Sequence, residues 1–243
     1  MDPFALPPVA AALAAGYSVV ITLVSLLTPI AGPASAAVAI VLLTLVIRLV
    51  LIPVGASQVK AEWMRRRLAP KLAELRRRHR KNPALLQQKT LDLYRSEKAS
   101  PFAGILPTLA QLPVISLFYA LFLHPEIGGS ANRLLGETLF GVPLGRTFVH
   151  LLTSGGWAPD LLPYAAIFVL MAAIAWMSRR TALRLAADTS ASPPAAVQLA
   201  PALSWMPFLS VVFSAFVPLY LATSSSWTLV ERALLRRRYW RED

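Results

Sequence analysis

Residues 37 to 54, AVAIVLLTLVIRLVLIPV, form an apolar run broken by a single charged side chain, Arg48. A helix of about 20 apolar residues crosses a bilayer, so this run must be buried in lipid or in protein and must take an arginine with it. At about 1.5 Å per helical residue, Arg48 lies roughly 9 Å from Val54. That is within reach of the interface for a long side chain that snorkels, and it is also deep enough to form the floor of a polar site. The run alone leaves both readings open.

Composition decides between lipid and a soluble core. Only 15% of the 243 residues are charged and 56% are hydrophobic, whereas soluble domains carry about 25% charged residues. The chain reads as an all-α polytopic membrane protein. Its net charge of +12 is concentrated: thirteen of the 24 Lys and Arg lie between Gly55 and Ser100, against four acidic residues. The absence of cysteine excludes disulfides, cysteine-ligated zinc, a thiol nucleophile and a lipobox. MDPFALPP has no Lys or Arg before its apolar run, unlike a secretory signal. No internal repeat is evident.

Residues 9–30 are apolar enough to span, but Ser18, Thr22, Ser25 and Thr28 fall near one helical face, which predicts an extracytoplasmic helix lying in the interface. The other reading is an ordinary span whose hydroxyls bond to their own helix. Gly32 and Pro33 then precede the first span, 37–54. Residues 55–100 are too basic for the membrane. Leu68, Leu72, Leu75 and His79, then Leu86, Thr90 and Leu93, line up as two amphipathic faces. Asn82 and Pro83 supply an N-cap and a first helical position between them, which predicts an antiparallel helical hairpin. Pro70 either kinks its first helix or marks where that helix starts.

The further spans are 102–123, interrupted by Pro107 and Pro113, then 160–178, 199–216 and 219–235, the last unusually polar. They are joined by a loop at 124–159 and another at 179–198, and the chain closes on a basic tail, 236–243. The loops at 55–100 and 179–198 and the C-terminal segment hold 13, 3 and 5 basic residues, the last count including Arg232, against two in 124–159. The positive-inside rule then predicts five spans in a bacterial plasma membrane, N-terminus out and C-terminus cytoplasmic.

The predicted spans offer little to catalysis. Between residues 37 and 230 Arg48 is the one strongly charged residue of the predicted spans, Asp160 falling at a span's edge, so proton relays and intramembrane protease sites lack their groups there. His79, His124 and His150 are scattered over loops, which predicts no metal site. An enzyme is not expected, and no cofactor or phosphate-binding loop is evident. What remains is a polar lining: Thr44 and Arg48, Thr108, Gln111 and Ser116, Ser204, Ser210 and Ser214, and Thr223 to Thr228 apart from Trp227. Singly such residues are ordinary helix-packing glue. Taken with a buried arginine they favour a water-filled cavity that attracts acidic or polar segments.

IRLVLIP at 47–53, LAPKLAEL at 68–75, LYR at 93–95, PFAGILPTLAQLP at 101–113 and LFY at 117–119, in this order and spacing, resemble the YidC/Oxa/Alb family of membrane protein insertases. LYLATSS at 219–225 and Trp227 to Val230 resemble its last helix, and residues 9–30 its external amphipathic helix. The resemblance runs from about residue 17 to 238. It implies a five-transmembrane-helix insertase core with an N-terminal interfacial amphipathic helix and a cytoplasmic helical hairpin, and a groove open to cytoplasm and lipid. The functional arginine of that groove maps onto Arg48, with Thr44, Gln111, Ser224 and Ser225 beside it. It implies substrate sliding along the second and fourth spans, at Leu109, Leu112, Trp205 and Phe208. Partner recruitment falls to Arg65, Arg66, Arg67, Arg76, Arg77 and Arg78 of the hairpin and to Arg236, Arg237 and Arg238. The implied partners are nascent membrane proteins, the ribosome, the Sec translocon and anionic lipid, with no nucleotide consumed. The chain departs from the family at Ser214 to Pro218, where a Pro and Gly turn is usual, at Ser225 where Asn is common and at Glu231 where Gln is common. It also lacks the large external domain of some members, which places it among the short ones.

The rival class is an anion-selective pore or small-solute transporter selecting through Arg48. A membrane-anchored RNA-binding scaffold would leave Arg48 unexplained. With only Trp63 and Tyr94 among the hairpin's charges, attraction to nucleic acid is nonspecific, and specific DNA binding is not expected.

Overall fold

The computed structural model describes residues 6–100, 109, 116–117, 120–122, 124–139, 141–143, 146–154, 158–187 and 216–239. In chain order they form α1 (Pro7–Ala31), α2 (Ser35–Val50), α3 (Ile52–Arg78), α4 (Pro83–Ser96), β1 (Glu126–Ile127), β2 (Ser130–Ala131), β3 (Thr138–Leu139), β4 (Val142–Pro143), α5 (Phe148–Thr153), α6 (Ala158–Ala187) and α7 (Phe216–Tyr239). Two stretches among the described residues are long and apolar enough to cross a membrane: Pro7–Val50, which holds α1 and α2, and Leu161–Thr181 within α6. The predicted spans 102–123 and 199–216 lie outside the described residues but for a few positions. The chain divides into two units, one of Met1–Val50, Leu112–Ala175 and Trp205–Trp227, the other of Leu51–Gln111, Trp176–Ser204 and Thr228–Asp243.

In the first unit α1 starts on Pro7, where the missing N–H costs nothing, and ends at Gly32, whose φ of +51° disfavours any side chain. A 3-10 turn, Gly32–Ala34, reverses the chain, and α2 packs along α1. Leu13, Val20 and Val24 are buried on α1, and Ser35, Ala36, Ala37, Ala39, Ile40 and Thr44 on α2. Small side chains let the two backbones approach closely, as in membrane helix pairs. Leu26, Ile30, Val46 and Val50 are exposed on the outer faces, suited to lipid. The α1 hydroxyl stripe is satisfied internally: Ser18, Ser25 and Thr28 donate to the carbonyls of Ala14, Thr22 and Val24 at 3.0, 2.7 and 2.8 Å.

The segment predicted as a plain loop at 124–159 is built. β1 and β2 pair as an antiparallel hairpin across Gly128 and Gly129, both at positive φ, and β3 and β4 form a second hairpin. Asn132, buried, joins them to the end of the preceding helix. Its Nδ2 donates to the carbonyls of Leu121 (2.7 Å) and His124 (2.9 Å), and its Oδ1 accepts from the Leu134 N–H at 3.1 Å. Carbonyls at a helix C-terminus have no partner within the helix, so one amide supplies what the helix lacks. The neighbouring elements pin the loop: Tyr17 accepts from the Arg133 N–H, Thr138 donates to the Pro33 carbonyl and Tyr164 to that of Arg146. Beneath it Phe148 packs against Tyr164 and edge-on against Phe168, with centroids 5.4 and 5.3 Å apart.

In the second unit α3 and α4 form the predicted hairpin. Leu68 and Tyr94 are buried and Leu72, Leu75, Leu86 and Leu93 half-buried, the amphipathic faces read from the sequence. Asn82 caps α4, accepting from the Leu85 N–H at 3.1 Å. Several helix boundaries differ from expectation, and the alternatives left open at Pro70 are decided. The first span's helix ends at Val50, not 54, because Pro53 has no N–H to continue the ladder; Leu51 turns the chain and α3 starts at Ile52. Pro70 lies inside α3 and does not start it. α6 continues through Arg179, Arg180 and Arg184 to Ala187, so the first part of the predicted loop 179–198 is helical, with the Arg180 guanidinium 3.8 Å from the centroid of the Trp176 ring. α7 likewise starts at Phe216 and runs through Arg236, Arg237 and Arg238, which belong to its last turn and not to a tail.

Candidate functional site: a buried arginine facing the last helix

α2 places Thr44 and Arg48 one turn apart on one face, with Val46 and Val50 exposed elsewhere. Thr44 is buried, and its hydroxyl donates back to the Ile40 carbonyl at 2.7 Å, so it is packing glue and not a donor to a cavity. Arg48, half-buried, donates from Nη2 to the hydroxyl of Ser224 on α7. The structure thus sorts the hydroxyl-rich last helix. Thr223 and Ser226 donate to the Leu219 and Ala222 carbonyls of their own helix at 2.9 and 2.7 Å. Ser224, itself buried, is turned to the arginine, and Ser225 is half-buried beside it.

An arginine side chain is charged at all ordinary pH, so α2 carries a positive charge at this position. Such a charge in apolar surroundings attracts carboxylates and polar backbone more strongly than it would in water. Of the other groove and slide positions, Leu109 is described and exposed, while Gln111, Leu112, Trp205 and Phe208 lie outside the described residues. No group of three or more His, Cys, Asp or Glu that could hold a metal occurs among the described residues.

The basic positions divide as well. Arg65, Arg67, Arg76, Arg77 and Arg78 are exposed along α3 and Arg66 is half-buried. Arg67 lies over the Trp63 ring at 5.5 Å, and Arg78 pairs with Glu74 one turn back. Lys71 pairs with Glu97 across the hairpin, and this charge and hydrogen bond hold the Glu97 carboxyl below its usual value. Arg237 and Arg238 are exposed, but Arg236 is drawn against α3, its Nη2 lying 2.9 and 3.1 Å from the two carboxylate oxygens of Glu62. The contacts of Glu62 and of Asn132 are ones that the sequence pattern does not announce. The Glu62–Arg236 pair joins positions far apart in the chain, with no local pattern to betray it.

Residues 26–242 match the family described as 60Kd inner membrane protein. A Membrane protein insertase YidC from Clostridium perfringens is 32% identical over 101 residues, which is 41% of this chain and 42% of that protein. Proteins of the same description from Burkholderia multivorans and Burkholderia thailandensis are each 38% identical over 93 residues, 38% of this chain and 17% of theirs. The alignments therefore span less than half of each relative. With the family match covering nearly the whole chain, and with membrane-type helices and a half-buried arginine facing the polar last helix, the chain belongs to the 60Kd inner membrane protein family, the YidC/Oxa/Alb family.

Proposed function

We propose that the protein is a membrane protein insertase and chaperone of the bacterial plasma membrane, which moves nascent chains into lipid without hydrolysing nucleotide. The observation that carries this reading is the hydrogen bond from Arg48 to Ser224. It ties a side chain that is charged at all ordinary pH to the polar last helix, on an apolar span where a charge is costly enough that its presence favours a functional role. In the proposed cycle the basic hairpin and the Arg237 and Arg238 pair hold a nascent chain, or its ribosome, at an anionic surface. The polar external segment of the substrate enters a groove open to the cytoplasm and formed by Arg48, Gln111, Ser224 and Ser225. Arg48 pairs transiently with its acidic groups, releasing Ser224. The apolar segment slides into lipid past Leu109, Leu112, Trp205 and Phe208, driven by its own hydrophobic transfer.

This reading includes five spans with the N-terminus outside and the C-terminus cytoplasmic, α1 on the outer surface, the folded segment 124–154 outside and the hairpin inside. Because the chain has no cysteine, single cysteines report without background. A translation-arrested substrate carrying one cysteine in its external tail should form a disulfide with Ser225→Cys and not with Val46→Cys on the exposed face of α2. Equal crosslinking at both positions, or at neither, would refute the groove.

A further inference from the structure

At the foot of the hairpin a carboxylate occupies the place of a side chain. A Cβ built on Gly55 would lie 1.9 Å from Oε1 of Glu231 and 2.8 Å from its Cδ, so only glycine lets this carboxylate rest against the α3 backbone. Seven residues further along α3, Glu62 takes Arg236, five residues further along α7. At about 1.5 Å per residue the two intervals are roughly 10.5 and 7.5 Å, so α3 and the last turns of α7 run side by side in the same direction through both contacts. The Glu62–Arg236 pair is more enclosed than the Arg78–Glu74 pair: its side chains are 31% and 14% exposed, against 67% and 50% for Arg78 and Glu74. Two separate contacts fix a direction as well as a distance, which one ion pair cannot do.

We infer that Gly55 with Glu231, and Glu62 with Arg236, form a two-point latch that fixes the root of α3 to the last turns of α7. The hairpin stands on this strut, and its basic surface is presented in one direction. Arg236 is then a positioning residue, and partner attraction at this end falls to Arg237 and Arg238. The latch does not depend on what the hairpin recruits.

The test is hydrogen exchange of peptides covering residues 52–66, measured on the full chain in lipid nanodiscs. Gly55→Ala should displace the flexible carboxylate while favouring the helix by propensity, so faster exchange in that variant cannot come from a weakened helix. Gly55→Ala and Glu231→Ala should each raise exchange about tenfold, and together no more than either alone, because both remove one contact. Glu62→Arg or Arg236→Glu alone should raise it similarly, and the two reversals combined should restore it to within about threefold of the parent. Additive effects of Gly55→Ala and Glu231→Ala, or a charge swap that exchanges as fast as the single reversals, would overturn the latch.

Discussion

Asn132 should hold the segment of the two β-hairpins shut, and its substitutions give an order that tests why. Its three hydrogen bonds run to the Leu121 and His124 carbonyls and from the Leu134 N–H, and the residue is 7% exposed. Asn132→Ala leaves Leu121 O and Leu134 N buried without their partner, while His124 O, nearer solvent, recruits water. At about 1–2 kcal/mol for each buried group left unmade, the segment should lose about 2–4 kcal/mol. Asn132→Asp keeps the acceptor for Leu134 but turns a carboxylate oxygen toward two carbonyl oxygens. It should therefore be at least as damaging as Ala, although Asp caps exposed turns well. A single Ile127→Cys on β1, buried and without competing thiols, reports local opening through its labelling rate. In the regime where closing outpaces labelling, 2–4 kcal/mol corresponds to an acceleration of about 30- to 700-fold. A rise below about threefold for Ala, or parent-like labelling for Asp, would show that Asn132 merely caps a turn.

Two further outcomes follow from the geometry. Gly32→Ala should destabilise the α1–α2 pair by about 1–3 kcal/mol through its backbone conformation alone, φ +51° and ψ −124°, since a Cβ there meets nothing within 4 Å; a reduced midpoint in denaturant titration of the micellar protein checks this. The Lys71–Glu97 pair lowers the Glu97 pKa from 4.5, so it favours the folded hairpin at neutral pH and that help is lost as pH falls below 4.5 through the lowered value. Hydrogen exchange at residues 90–98 should accelerate across that window in the parent and lose this step in Glu97→Gln, the effect being small because the pair is exposed.

The sequence made the periodic features legible. The Leu68, Leu72 and Leu75 face and the Asn82 cap appear in the structure because each follows from neighbours three or four residues away. Arg48 and Ser224 were both legible as site candidates, since a charge in an apolar run and a serine-rich helix stand out against their surroundings. Their bond joins residues 176 positions apart, and no local rule distinguishes Ser224 from Thr223 or Ser226. The two β-hairpins were missed for the same reason: Asn132 works by reaching back 8 and 11 residues to helix-end carbonyls. The pairing of Arg236 with Glu62, 174 positions away, has no local signal either.

The central claim is that the charge of Arg48 assists polar segments across the membrane. Its most direct test is insertion of a single-span reporter with an acidic N-terminal tail into liposomes holding only this protein, scored by protection of the tail, with Arg48→Ala and Arg48→Lys beside it. Protein-dependent protection that Arg48→Lys largely keeps and Arg48→Ala loses by about tenfold, the worth of one charge interaction of about 1.4 kcal/mol, is the predicted result. Parent-level protection with Arg48→Ala, or no protection above empty liposomes by the folded parent, would contradict it.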